Sequence, residues 1–128
     1  MSLLYNKMNG KGVGRIYKAM YCSFAGFKCA WVHESAFRQE VVLAIVLFPF
    51  SFFLATSVVE WVILVSALIF VVMCEVINSA IENLADAITI ENHEFIKRAK
   101  DLGSSAVFLS LTLLSVVWGA FIVARFFF

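Results

Sequence analysis

Three carboxylates and an amide recur along one stretch of this sequence, Glu75-Val-Ile-Asn78-Ser79-Ala-Ile-Glu82-Asn-Leu-Ala-Asp86. At about 100° per residue of α-helix, Glu75, Glu82 and Asp86 fall within about 40° of one another, with Asn78 about 60° to one side. Glu75 directly follows a charge-free apolar run, residues 61–74. That run is too short to cross a bilayer unless it continues past Glu75, which puts a carboxylate in or beside hydrocarbon. A charge at that depth costs about 2.5–3.5 kcal/mol or more, and intramembrane ionisable groups mark functional sites. Partly desolvated and close to other carboxylates, Glu75 suits the role of general base.

Two further polar clusters lie at the ends of other apolar runs. Glu34-Ser-Ala36-Phe37-Arg38-Gln39-Glu40 precedes the run at 41–59, and Ile96-Lys-Arg-Ala-Lys100-Asp101-Leu-Gly103-Ser104 leads into the run at 102–124. Taken alone, the first reads as an i, i+4 surface pair and the second as a solvated charge run. Together the three clusters fall at one membrane depth. Glu34 and Glu82 offer hard oxygens to Mg²⁺, an ion that keeps several waters and shares its coordination with substrate phosphates. Lys100 offers a point charge to a phosphate. Carboxylates, a divalent ion and a lysine around an apolar entry describe phosphoryl transfer to a lipid hydroxyl. The sequence has no GxxxxGK[ST] loop and no protein-kinase motif set, so this chemistry requires a different architecture. His33-Glu34 is not a zinc-protease HExxH, because Phe37 stands where the second histidine belongs. The GKGVG stretch at 10–14 lacks the spacing of a dinucleotide fingerprint and reads as a flexible lead-in.

The elements that position these groups follow from composition and charge. With 128 residues, 62% hydrophobic and 15% charged, the chain is one domain and too apolar for a small soluble protein. Disorder, nucleic-acid binding and ordinary cytosolic enzymes are excluded as classes. Cys22, Cys29 and Cys74 are odd in number, without CxxC spacing, which argues against a disulfide or zinc framework. No compact apolar segment of the signal-peptide kind opens the sequence. The expected fold is an all-α membrane protein: three transmembrane helices at about 36–57, 58–84 and 101–125, preceded by an amphipathic surface helix at 12–33. In that surface helix Val13, Ile16, Tyr17, Met20, Phe24, Phe27 and Trp31 form one stripe. Pro49 is expected to bend the first span, which membranes tolerate. Lys7, Lys11, Arg15, Lys18, Lys28 and Arg38 precede the first charge-free run at 41–59, and Lys97, Arg98 and Lys100 lie in the second loop. By the positive-inside rule both regions face the cytoplasm. Arg125 at the far end runs against that rule.

Three segments carry a family resemblance: Ala30-Trp31-Val-His-Glu34-Ser-Ala36-Phe37-Arg38-Gln39-Glu40, Glu75-Val-Ile-Asn78-Ser79-Ala80-Ile81-Glu82, and Ala99-Lys100-Asp101-Leu-Gly103-Ser104. Over about residues 13–125 the chain resembles the small integral-membrane diacylglycerol kinases of Gram-negative bacteria. The resemblance implies a homotrimer in the bacterial inner membrane, with active sites shared between subunits at the cytoplasmic face. It implies transfer of the γ-phosphoryl group of Mg²⁺-ATP to the primary hydroxyl of diacylglycerol, giving phosphatidic acid. Carried over, Glu75 is the base and Glu34 and Glu82 hold the metal. Arg15, Glu34, Glu82, Glu91, His93, Lys100 and Asp101 bind ATP. Ala19, Ser23, Trp31, Ala36, Phe37, Arg38, Gln39, Glu40, Glu75, Asn78 and Ser104 line the lipid site. Cys22, Ala87 and Asn92 depart from the family pattern.

Three other readings compete. An undecaprenol kinase shares the chemistry with another acceptor. A small intramembrane ion or proton relay would use Glu75 alone, and a non-catalytic scaffold would use the polar face to align helices. A relay needs no nucleotide-binding groups, so the Glu34, Glu82 and Lys100-Asp101 clusters favour the kinase.

Overall fold

A computed structural model describes residues 11–128, which form four helices and no strand. Lys7 and Gly10 lie outside the described residues. Helix α1 runs over Val13–His33, α2 over Ser35–Leu54, α3 over Val58–Ile88 and α4 over Glu94–Phe127. The last three are long and apolar enough to cross a membrane. The first apolar span ends at Leu54 rather than at 57, because the next three residues build the start of α3. Ser57 is the N-cap, its hydroxyl accepting from the Glu60 amide at 3.2 Å. The Glu60 carboxylate accepts in turn from the amide and hydroxyl of Thr56. These bonds satisfy amide donors that a helix start leaves open. Helix α2 continues through Pro49 without interruption.

At the other end, α3 continues to Ile88 and α4 already begins at Glu94, beyond the apolar limits expected at 84 and 101. Charged residues extend both helices. Glu94 with Arg98, and Lys97 with Asp101, form i, i+4 pairs on the first turns of α4. At about 1.5 Å per residue, the 31 residues of α3 span about 46 Å and the 34 of α4 about 51 Å. A hydrocarbon core is about 30 Å thick, so both helices project well past it. With Val58 at one boundary, about twenty residues of α3 reach the other, close to Glu75.

Helices α3 and α4 pack along most of their length. Leu64, Leu68, Val71, Leu114 and Trp118 are buried between them, and Leu54 of α2 joins the cluster. Trp118 donates its indole N–H to the Leu64 carbonyl at 3.2 Å, which anchors the end opposite the carboxylates. Phe48 packs edge-to-face on Phe52 and Trp61, whose own rings are tilted against each other, at that same end of α2 and α3. Helix α1 meets α2 at Glu34, whose amide closes α1 on the Ala30 carbonyl. Arg38 then reaches back and donates to the carbonyls of Trp31 and Val32, satisfying acceptors left open at the C-terminus of α1. Ala30 is the only buried residue of α1, and the seven apolar stripe residues are all exposed on the single chain.

Candidate functional site

Four carboxylates from the α1–α2 junction, α2 and α3 gather at the polar end of the bundle. Glu75 on α3 is 3% exposed and Glu40 on α2 is 8% exposed. The charges of Glu34 and Glu82 act on Glu75, and that of Glu75 acts on Glu40. The i, i+4 geometry of α3 supplies the hydrogen bonds among its polar residues. Ser79 donates its hydroxyl to Glu75 Oε1 at 3.3 Å, and Asn78 donates Nδ2 to Glu82 Oε1 at 3.3 Å. Asn83 donates Nδ2 to the Ser79 carbonyl and to Glu34 Oε1 at 2.8 Å, tying the α1–α2 junction to α3. The Oε2 atom of Glu40 and Oδ1 of Asn78 are buried without a hydrogen-bond partner. Buried polar atoms left unpaired are costly, which marks this cluster as a site that expects a further partner.

A second group sits farther out, where α3 ends and α4 begins. Lys100 donates to Asp86 Oδ1 at 2.9 Å, bridging the two helices. A cavity of about 290 Å³ is lined by Asp86, Glu91, His93, Lys97, Lys100 and Asp101 among others. It brings together four of the residues expected at the nucleotide: Glu91, His93, Lys100 and Asp101. Asp101 pairs with Lys97 in the single chain.

The residues expected at the lipid are spread over all four helices. Phe37 is buried, Trp31 and Gln39 are exposed, and Arg38 is half-buried at the helix junction. Asn78 and Gly103 line a cavity of about 380 Å³ between α3 and α4, and Ser104 lies exposed on the next residue of α4. Arg15, Ala19 and Ser23 instead line a groove along α1 itself. Among the described residues no hydrogen bond or ion pair joins Arg15 to another helix. The single chain therefore assembles the carboxylates and the loop cavity but leaves the α1 residues on an open face.

The sequence does not single out Asn83 and gives Asp86 a place on the acidic face without a partner, yet they hold Glu34 and Lys100 in place. Periodicity places Asp86 on the same helical face as Glu75, but only the packing of α4 on α3 shows its Lys100 partner. Asn83 lies about 80° from Glu75 around the helix and is revealed only by the packing of α2 on α3.

The donor set suits a magnesium ion shared with phosphates. Among the described residues no three His, Cys, Asp or Glu side chains converge on one point, so there is no all-protein cage. Glu34 and Glu82 are each half-buried, each accepts from an amide, and each retains carboxylate lone pairs for a metal. A pair of carboxylates completed by water and phosphate oxygens is the usual magnesium arrangement.

Residues 21–122 match the family model for prokaryotic diacylglycerol kinase. The diacylglycerol kinase of Helicobacter pylori strain 26695 is 40% identical over 114 residues, covering 89% of each chain. That of Haemophilus influenzae is 39% identical over 108 residues, 84% of this chain and 92% of its own. That of Escherichia coli K12 is 38% identical over 110 residues, 86% of this chain and 90% of its own.

Proposed function

The chain belongs to the prokaryotic diacylglycerol kinase family, and we propose that it transfers the γ-phosphoryl group of ATP to the primary hydroxyl of diacylglycerol, yielding phosphatidic acid and ADP. The observation that carries the reading is the position of Glu75. It is buried at the end of the apolar run of α3, accepts from Ser79, and feels the charges of Glu34 and Glu82.

In this mechanism the lipid keeps its acyl chains in the bilayer and presents its hydroxyl to Glu75. The carboxylate accepts the hydroxyl proton as the oxygen attacks the γ-phosphorus and the bond to the ADP oxygen breaks. Glu75 releases the proton to water afterwards. Magnesium, when bound with ATP, neutralises phosphate charge that develops in transfer. Glu34 and Glu82 would hold it, positioned by Asn83 and Asn78. Lys100, held by Asp86, places a positive charge at the mouth of the loop cavity, where Asp101, Glu91 and His93 complete the nucleotide pocket. Asn78, Glu40, Phe37 and Ser104 face the lipid from α2, α3 and α4. Arg15, Ala19, Ser23 and Trp31 reach a substrate only across an open face of α1, which favours a homotrimer whose neighbouring subunit closes the site. The Lys and Arg residues before α2 and in the α3–α4 loop support an orientation with α1 and that loop on the cytoplasmic side of a bacterial inner membrane.

The test is phosphorylation of defined lipids by purified protein in mixed micelles with labelled ATP. Diacylglycerol is expected to be phosphorylated in the presence of Mg²⁺ and not after chelation. Undecaprenol offered in parallel is expected to react far more slowly. Undecaprenol as the better acceptor would reassign the substrate, and phosphorylation of neither would refute the kinase reading.

A further inference from the structure

Gly103 is a buried residue of α4 that lies against Asn78 and Ile81 of α3. A Cβ built there would lie 2.5 Å from Asn78 Oδ1 and 3.5 Å from the Asn78 Cγ and Ile81 Cδ1. The first distance is well inside van der Waals contact. The backbone at Gly103 is ordinary helix, so the need for glycine is set by space and not by dihedral angle. The atom in the way is the free oxygen of an amide whose nitrogen donates to Glu82. A half-turn of the amide about its last bond would not relieve the contact. It would put the nitrogen against the new methyl group and the oxygen against the Glu82 carboxylate, exchanging a charge-assisted hydrogen bond for a repulsion.

We propose that Gly103 is a positioning residue for phosphoryl transfer: by leaving room for the Asn78 amide, it fixes the orientation in which Asn78 holds Glu82 toward the metal and nucleotide. The inference rests on the assignment of Glu82 proposed above. It adds a residue that touches neither substrate. The obstructing atom is the end of a side chain, so Gly103→Ala is accommodated by displacement of the Asn78 amide and the fold is retained. The displacement is paid in the Asn78–Glu82 bond. A hydrogen bond to a charged group lost in this way lowers kcat/KM for Mg²⁺-ATP about 10- to 100-fold. The loss should fall mainly on KM and on the Mg²⁺ concentration giving half-maximal activity.

The decisive experiment is a double-mutant cycle of Gly103→Ala and Asn78→Ala on the full-length protein, read by kcat/KM and by melting temperature in detergent. Gly103→Ala alone is expected to raise the KM for Mg²⁺-ATP and to lower the melting temperature. In the Asn78→Ala background the obstructing amide is gone, so Gly103→Ala should cost nothing further and should not lower the melting temperature. If Asn78→Ala is inactive, the melting temperatures still read the collision. Equal effects of Gly103→Ala in both backgrounds overturn the proposal, as does native kcat/KM in the single variant. A Glu82→Gln variant with a native Mg²⁺ requirement would remove the metal role of Glu82 and with it the proposed consequence for the nucleotide. The melting-temperature cycle would still report the Gly103–Asn78 contact, so the two failures are distinguishable.

Discussion

Glu75→Gln separates chemistry from folding at the centre of the site. Glutamine keeps the length and shape of the side chain, and its Oε1 still accepts the Ser79 hydroxyl that Glu75 accepts at 3.3 Å. It also removes a charge on which Glu34 and Glu82 act, relieving repulsion in a place that is 3% exposed. The melting temperature in detergent should therefore stay level or rise. The amide cannot accept a proton, so the general-base contribution disappears. Such contributions are about 10²- to 10⁴-fold, which corresponds to about 2.7–5.5 kcal/mol in the barrier. The assay measures initial rates of diacylglycerol phosphorylation at saturating Mg²⁺-ATP, alongside a melting curve for each preparation. Glu75→Ala provides the contrast: it removes the acceptor of Ser79 and opens a void, so it should lose both activity and stability. The reasoning is refuted if Glu75→Gln retains more than about a tenth of native kcat. It also fails if the glutamine variant melts as low as the alanine one.

Lys100→Met should raise the KM for ATP at least about tenfold while moving the melting temperature little, because the Lys100–Asp86 pair is solvent-exposed and screened; a variant that loses its fold with its activity would assign the pair a structural role instead. Trp118→Phe removes the indole donor to the Leu64 carbonyl and should lower stability by about 1 kcal/mol without changing kcat, since it lies at the end opposite the carboxylates. Thermal melting and steady-state rates on the same sample check both halves of that expectation. A Ser57→Cys variant places a thiol in the turn between α2 and α3. With Cys22, Cys29 and Cys74 replaced by alanine, it should react in intact cells with a membrane-impermeant maleimide from outside, and labelling only after the membrane is opened would reverse the proposed orientation.

The apolar limits of the helices were legible, but their true ends were not. Hydropathy carries the first span on to 57 because Ala55, Thr56 and Ser57 hold no charge, whereas the Ser57 and Glu60 bonds already start α3 there. Hydropathy also stops α4 at the membrane boundary, although its helical hydrogen bonding continues outward through ion-paired turns to Glu94. The carboxylate face of α3 was readable because a period of 3.6 residues is a local property of the chain. The same periodicity placed Asp86 on that face. The role of Asp86 became clear only when Lys100, fourteen residues on, was found bonded to it.

By itself, the sequence determined the class of the protein, the presence of three membrane-length helices and the line of acidic groups descending one of them. Those are matters of composition and of rotation about a single helix axis, which the order of residues sets directly. Tertiary structure decided which groups meet. Asn83 reaches Glu34 across a separation of 49 residues, and the indole of Trp118 reaches Leu64 across 54. Gly103 lies against Asn78 because α4 is set on α3 at one register and no other brings that small residue to that amide. Register and closeness of approach depend on how side chains of two helices interdigitate, a property that belongs to the pair and is not carried by either helix alone.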